Sequence, residues 1–522
     1  MRSIPFLFAV AGILCVVLWF RVNPPLEETD PTQTGRRQSA EDGTGGGLVP
    51  GGLNPPGCGI GEEAAFEQVQ DGEEKSAPGS GASDSHDAPL PPPMFERDAP
   101  DKAPSFPAQP PRPSSGGGSR VTPVSVPALP GTWTRYRGAD FSNIAPNASG
   151  LARSWGSGGP PKLWSVELGE GHAGPAVVNG KVYLLDYDTQ ARADALRCFS
   201  LADGSLLWTQ SYPVDVKRNH GMSRTVPAVS GKYVLTLGPK CHVMCADANT
   251  GKPYWKMDLV AKYGTKVPTW YAGQCPLIDD NKAIIAPGGK ALMIAADIGS
   301  GRVLWSTPNP KGWDMTHSSV VPMTHAGKKM YLYCASGGVV GVSASDGSVL
   351  FETSEWTVST ANIPVPIPVG DGRIFLCGGY NAGAMMIRLK GSGPFTVEKV
   401  WRVDARTFGS DQQSPILYNG NIYGVIPGGE LACLSLEGKR RWKSGSTHRF
   451  GLGPYMMAGD LMYILSDKGD LSLVQPNPSG YKELAKAKIL THGEAWAPLA
   501  LAGTRLLARD VNTMVCLNVG AG

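Results

Sequence analysis

Side chains able to bind, orient or exchange protons recur at a steady interval along this chain, each a few residues ahead of a short apolar run. They are His172, Arg224, Gln274, His317, Asn362, Gln412, the one apolar exception Gly451, and finally Glu494 with Trp496. Close by in sequence lie His220, Trp270, Trp313, Asp314, Asp411 and Arg449. Imidazole, guanidinium, carboxamide and carboxylate groups beside indoles suit a small polar ligand or a peptide, held by hydrogen bonds and by ring faces. A wide ring with a wet centre would leave the same pattern, its polar groups bonded to water and neighbouring loops. Asp314, Asp411, Asn362 and Glu494 carry oxygens of the kind that hold a hard cation, but their spacing defines no coordination set. No H-x-H, H-x-x-x-H or C-x-x-C spacing marks a transition-metal site, and no C-x-x-C-H marks a haem attachment. Gly288-Gly289-Lys290 lacks the spacing of a nucleotide loop. Lys439-Arg440-Arg441 comes without base-stacking aromatics, so it reads as a solvated rim and no nucleic-acid partner is expected. No residue is assigned a catalytic role, and no metal ligand is assigned.

The elements that must position these groups are repeats. The stretch CADANTGKPYW ending at Trp255 recurs as CFSLADGSLLW ending at Trp208, AADIGSGRVLW at Trp305, GVSASDGSVLF at Phe351 and CLSLEGKRRW at Trp442. Each has an apolar strand end, a polar turn residue, a Gly able to take positive φ and a second strand closing on a large aromatic, which reads as a β-hairpin. Another hairpin precedes each copy, from PAVVNGKVYLL at Pro175 round to PLALAGTRLLA at Pro498, eight in all. Two hairpins make four strands, and a period of roughly 46 residues lies in the range of propeller blades. The eighth copy stops after three strands. Lys162 to Leu168 carries the motif's Trp164 before any first strand exists to pair with it, so it is expected to complete the last blade. Trp164, Trp208, Trp255, Trp305, Phe351, Trp401 and Trp442 are then the aromatics of the outer strands. The expectation is an all-β, eight-bladed propeller closed by an N-terminal strand, with the polar positions around one mouth of its channel.

Composition divides the chain further. Residues 1–21 hold an apolar run from Ile4 to Phe20 between Arg2 and Arg21. As a helix it would be roughly 25 Å long, and no small-residue cleavage site follows, which predicts a retained signal anchor or transmembrane helix. Residues 22–130 are rich in Pro, Gly, Ser and acid, with 16 acidic against 7 basic residues, so they are expected to form a disordered linker. A partner-binding Pro-rich ligand is the other use of such a segment. Residues 131–522, with 29 acidic and 39 basic residues, hold the propeller. The sequence therefore predicts a membrane-anchored chain with its propeller exported, periplasmic or otherwise extracytoplasmic. Cys198, Cys245, Cys433 and Cys516 share one repeat position that is Ala295 and Gly341 elsewhere, which makes them small core residues; a pairing of Cys241 with Cys275 stays open.

The W-x-x-Y-R-G-x-D stretch at Trp133 to Asp140, GEGHAGPAVVNGKVY from Gly169, and D-x-x-T-G-x-x-x-W ending at Trp255 resemble the PQQ-like propeller proteins. That superfamily includes BamB outer-membrane assembly factors and quinoprotein alcohol dehydrogenases. The resemblance implies the fold over 131–522 and leaves activity open. Its enzymes hold a quinone in the funnel over Ca²⁺ or a lanthanide, with an Asp as base, a Trp beneath and often two adjacent cysteines. This chain has no Cys-Cys pair. The leading expectation is a BamB-like, non-catalytic scaffold that needs no cofactor, meets envelope proteins through its blade loops and has a monomeric propeller. The alternatives are a PQQ- and Ca²⁺-dependent dehydrogenase of small alcohols or sugars, and a propeller that recognises carbohydrate through Trp270, Trp313 and Trp496.

Overall fold

The computed structural model describes residues 126–521, apart from Ala128, Pro146, Asn147 and His220. The expected anchor, nearly all of the expected linker and the candidate His220 lie outside the described residues. No helix among the described residues is long and apolar enough to cross a membrane.

Eight antiparallel sheets follow one another along the chain. Blade one is Ala176–Val178, Lys181–Asp188, Ala193–Ser200 and Leu206–Pro213, paired in sequence order. Blades two to six repeat that meander, their first strands at Ala228–Ser230, Leu277–Asp279, Val321–His325, Ile367–Gly370 and Ile416–Tyr418. Blade seven begins at Tyr455–Ala458 and ends at Glu483–Lys488, where the outer strand has no large aromatic. The eighth copy supplies Ala500–Ala502, Arg505–Arg509 and Thr513–Asn518, and its fourth strand is Lys162–Glu167, antiparallel to Thr513–Asn518. The all-β, eight-bladed ring and its closure by an N-terminal strand are as the repeat predicts. Closure pairs the outer edge of the last blade, which an open ring would leave exposed.

Successive blades are locked by the turn motif. Trp164 lies over Gly204 of blade one, Trp208 over Gly251, Trp255 over Gly301, Trp305 over Gly347 and Trp401 over Gly438, each time in the following blade. A Cβ on any of these glycines would stand 2.6 to 2.9 Å from the ring, and all five have positive φ, so only Gly suits both demands. Three of these indoles also donate across the contact, Trp164 to the Leu201 carbonyl at 3.0 Å, Trp255 to Ile298 at 2.7 Å and Trp401 to Leu436 at 2.8 Å. Trp442 donates to Asn477 of blade seven at 2.8 Å. Phe351, without an N–H, packs instead on Gly341 of its own blade.

Two features have no counterpart in the repeat. A five-residue helix, Leu259–Tyr263, follows blade two, capped by the Asp258 carboxylate at the Ala261 amide and ended by Gly264 in the left-handed region. The other is a plug. Residues 133–145 cross the inner strands, Trp133 bridging Val177 of blade one, the Thr134 carbonyl accepting from Val229 of blade two and Arg135 donating to Ile278 of blade three. Arg137, almost fully buried, donates to the carbonyls of Phe141, Ser142, Ser414 and Pro415. Ile144–Ala145 then adds a parallel strand to the inside of blade seven.

The eight described cysteines are free and buried, so Cys241 and Cys275 do not pair. Burial pushes the thiols of Cys198, Cys245 and Cys516 up to about 12, which makes them apolar filling rather than nucleophiles.

Candidate functional site

The links between blades carry the polar positions, and the strand-start prolines set their phase. Five of them meet at the centre. His172, Arg224, His317, Gln412 and Trp496 line one cavity of about 80 Å³, together with Gln413, Ser319 and Tyr136 of the plug. His172 stands 3.7 Å from a Glu494 oxygen and 4.7 Å from the Trp496 ring centre. Burial lowers the Arg224 guanidinium to about 10, and its Nη2 donates to the Asn219 carbonyl at 3.2 Å. Burial and then the nearby Arg224 charge press His317 down to about 4, so its imidazole is neutral at physiological pH. The Gln412 Oε1, Trp496 Nε1 and His317 Nε2 atoms are buried and have no hydrogen-bond partner within the protein. Tyr136 and Gln413 went unmarked in the sequence, because neither falls on the repeat position. Tyr136 is identifiable only through the plug, whose W-x-x-Y-R-G-x-D pattern hinted at a special segment.

The other candidates are placed elsewhere. Gln274 is fully buried one residue before the cavity-lining Cys275, its amide closed on the Ala286 backbone at 3.1 and 2.9 Å. Trp313 is buried between blades three and four, its ring against Gly337. Asp411 packs beside Gly379, and burial raises its carboxyl. Trp270, Asp314 and Asn362 line a separate hollow of about 560 Å³ that also reaches His317. There Asp314 is ion-paired with Lys266 at 3.0 Å.

This placement bears on the quinone and its ion. Asp314, Asp411 and Glu494 do not converge, and among the described residues no group of three His, Cys, Asp or Glu could share a cation. The central cavity offers one guanidinium and is well below the roughly 300 Å³ at which small-molecule pockets begin. The residues present do not fit the fused-ring cofactor and hard cation of the enzymes that the sequence resembles.

A family model described as outer membrane protein assembly factor BamB matches residues 192–444. Together with the eight four-stranded blades, this match supports a PQQ-like β-propeller. Two solved structures agree on the fold of the propeller. A europium-containing methanol dehydrogenase aligns at TM-score 0.55 and 13% identity over 74% of this chain and 90% of that one. The quinohemoprotein alcohol dehydrogenase from Comamonas testosteroni aligns at 0.55 and 12% over 75% and 81%. BamB from Moraxella catarrhalis aligns at 0.47 and 13% over 68% and 97%. No curated protein matches the sequence.

Proposed function

We propose that this propeller is a non-catalytic binding and assembly platform of the cell envelope, exported and held at a membrane by its N-terminal segment. The observation that carries the reading is the outer wall. Six consecutive blades, from the eighth round to the fifth, each expose a large apolar side chain on the outermost strand: Leu163, Leu206, Tyr254, Leu304, Val349 and Val400. Next to an unpaired strand edge, such a side chain is what a docking peptide or strand uses for affinity and register. The blade loops add the interaction surface facing the mouth. The matched family model, named for an outer-membrane assembly factor, supports the envelope setting. The propeller is taken to be monomeric, without a cofactor and without nucleic acid.

A quinone-dependent dehydrogenase of small alcohols or sugars is the second reading. It is favoured by the raised carboxyl of Asp411, since the enzymes that the sequence resembles use an Asp as base.

The test is crosslinking in intact cells from photoreactive residues placed at Leu206 and Leu304 of the full chain. The platform reading expects the same envelope proteins to be recovered from both positions in every repeat. Recovery of none would sink it.

A further inference from the structure

The outer wall changes character at two blades. Where the other six carry an exposed apolar side chain on the outermost strand, blade six presents Arg440, Arg441 and Lys443, and blade seven presents Lys486 and Lys488, all exposed. Exposed Lys439 and Lys482 stand just ahead of the two strands. The outermost strands of blades one and three have no charged residue, and that of blade eight sets one base, Lys162, against one acid, Glu167.

Strand register brings the two basic sets toward each other. Lys486 pairs with Ser472 and Lys488 with Asp470. Those two partners share a face of their strand with Val474, which belongs to the apolar cluster of Tyr423 and Cys433 in blade six, so both lysines stand on the blade-six side. Trp442 and Tyr481, both half-buried, meet between the two blades with their ring centres 6.3 Å apart.

Much of this charge is not cancelled. Lys443 is paired with Glu430 at 2.5 Å, and Lys488 stands 3.8 Å from Asp470. Arg440 donates to the Arg406 and Thr407 carbonyls and Arg441 to the Asn421 side chain, neutral acceptors that leave the guanidinium charge in place. The Glu483 carboxylate accepts from the Ser472 and Tyr481 hydroxyls. Among the described residues, no carboxylate is within ion-pair reach of Lys439, Lys482 or Lys486. Against them stands exposed Glu437, in the turn before Arg440.

Flexible stems spread along two strands enclose no pocket, so the occupant is an extended anionic surface and not a small anion. Half-buried aromatic rings among bases suit the headgroup layer of a bilayer, where the rings settle while Lys and Arg meet the phosphates. The blades on either side present Val400 and Leu163, exposed at 40% and 41%, apolar side chains that the same layer accepts and that an acidic protein has no need of.

We propose that the wall of blades six and seven rests on an anionic lipid surface, with the propeller side-on against the membrane that holds the chain. The proposal rests on the membrane-held part of the reading above. The full chain is incorporated into nanodiscs of phosphatidylcholine, alone or with phosphatidylglycerol at a 7:3 ratio, and lysine acetylation is followed by mass spectrometry. Lys439, Lys482 and Lys486 are expected to react at least about threefold more slowly in the anionic discs, and half-molar salt should remove the difference. Lys252, which follows its turn Gly251 in blade two as Lys439 follows Gly438, should be unchanged. Lys439→Glu combined with Lys482→Glu should return Lys486 to its rate in neutral lipid. Equal rates in the two lipids would overturn the proposal, as would protection that extends to Lys252 or survives in the double variant. Protection by soluble polyglutamate in neutral discs, without protection by phosphatidylglycerol, would also overturn it and assign the wall to an acidic protein. Failure of the chain to enter neutral discs would count against the membrane-held reading alone; phosphatidylglycerol vesicles are then offered to the free chain and the same lysines read.

Discussion

His317 joins the central cavity to the hollow beside it, and its chemistry follows from where its neighbours put it. The ring packs on Gly273, whose missing Cβ leaves room for it, while burial and Arg224 disfavour the imidazolium. A histidine ordinary in the unfolded chain near 6.5 and held at about 4 in the fold stabilises the protein fully above pH 6.5. That contribution is lost as pH falls toward 4, because the unfolded chain takes up the proton first. His317→Gln is therefore expected to flatten the fall of Tm between pH 6.5 and 4. Parallel Tm curves for the two proteins would contradict it. The residue type and phase of His317 were legible in the sequence. Its neutrality was not, since Arg224 belongs to another link and comes close only in the closed ring.

At the scale of elements, the Trp-Gly contact converts a local turn signal into ring cohesion. The hairpin motif was readable because each copy repeats one strand, one turn and one aromatic. Trp255→Ala removes the ring from Gly301 and the N–H from the Ile298 carbonyl, and should cost about 3 kcal/mol by chemical denaturation. A loss under about 1 kcal/mol would argue against the contact as a lock. The plug is the opposite case. Trp133 to Ala145 repeats nothing, and its partners lie far away in sequence, such as Ser414 bonding to both Tyr136 and Arg137. No periodicity could announce that this segment floors the centre. The same limit applies to Gln274 and Trp313, whose positions matched the mouth residues but whose side chains are spent on the Ala286 backbone and on the packing between blades three and four.

The described residues form a ring whose centre is nearly filled and whose outer wall carries exposed apolar side chains. Blade count, four-stranded meander and closure by Lys162–Glu167 follow from a repeat that a reader of the sequence can count. Convergence at the mouth does not, because loops decide it. Of the candidates named for the funnel, His172, Arg224, His317, Gln412 and Trp496 share the central cavity, while Trp270, Asp314 and Asn362 open onto the second hollow. The central claim is that this fold works here by binding, without the redox cofactor of the dehydrogenases whose shape it shares. The most direct test is a calorimetric titration of the full chain with pyrroloquinoline quinone, with and without Ca²⁺, followed by a dye-linked dehydrogenase assay on small alcohols and sugars. The account predicts no saturable heat and no turnover. Binding at micromolar or tighter affinity with turnover would contradict it, and would turn attention to Asp411 as the base.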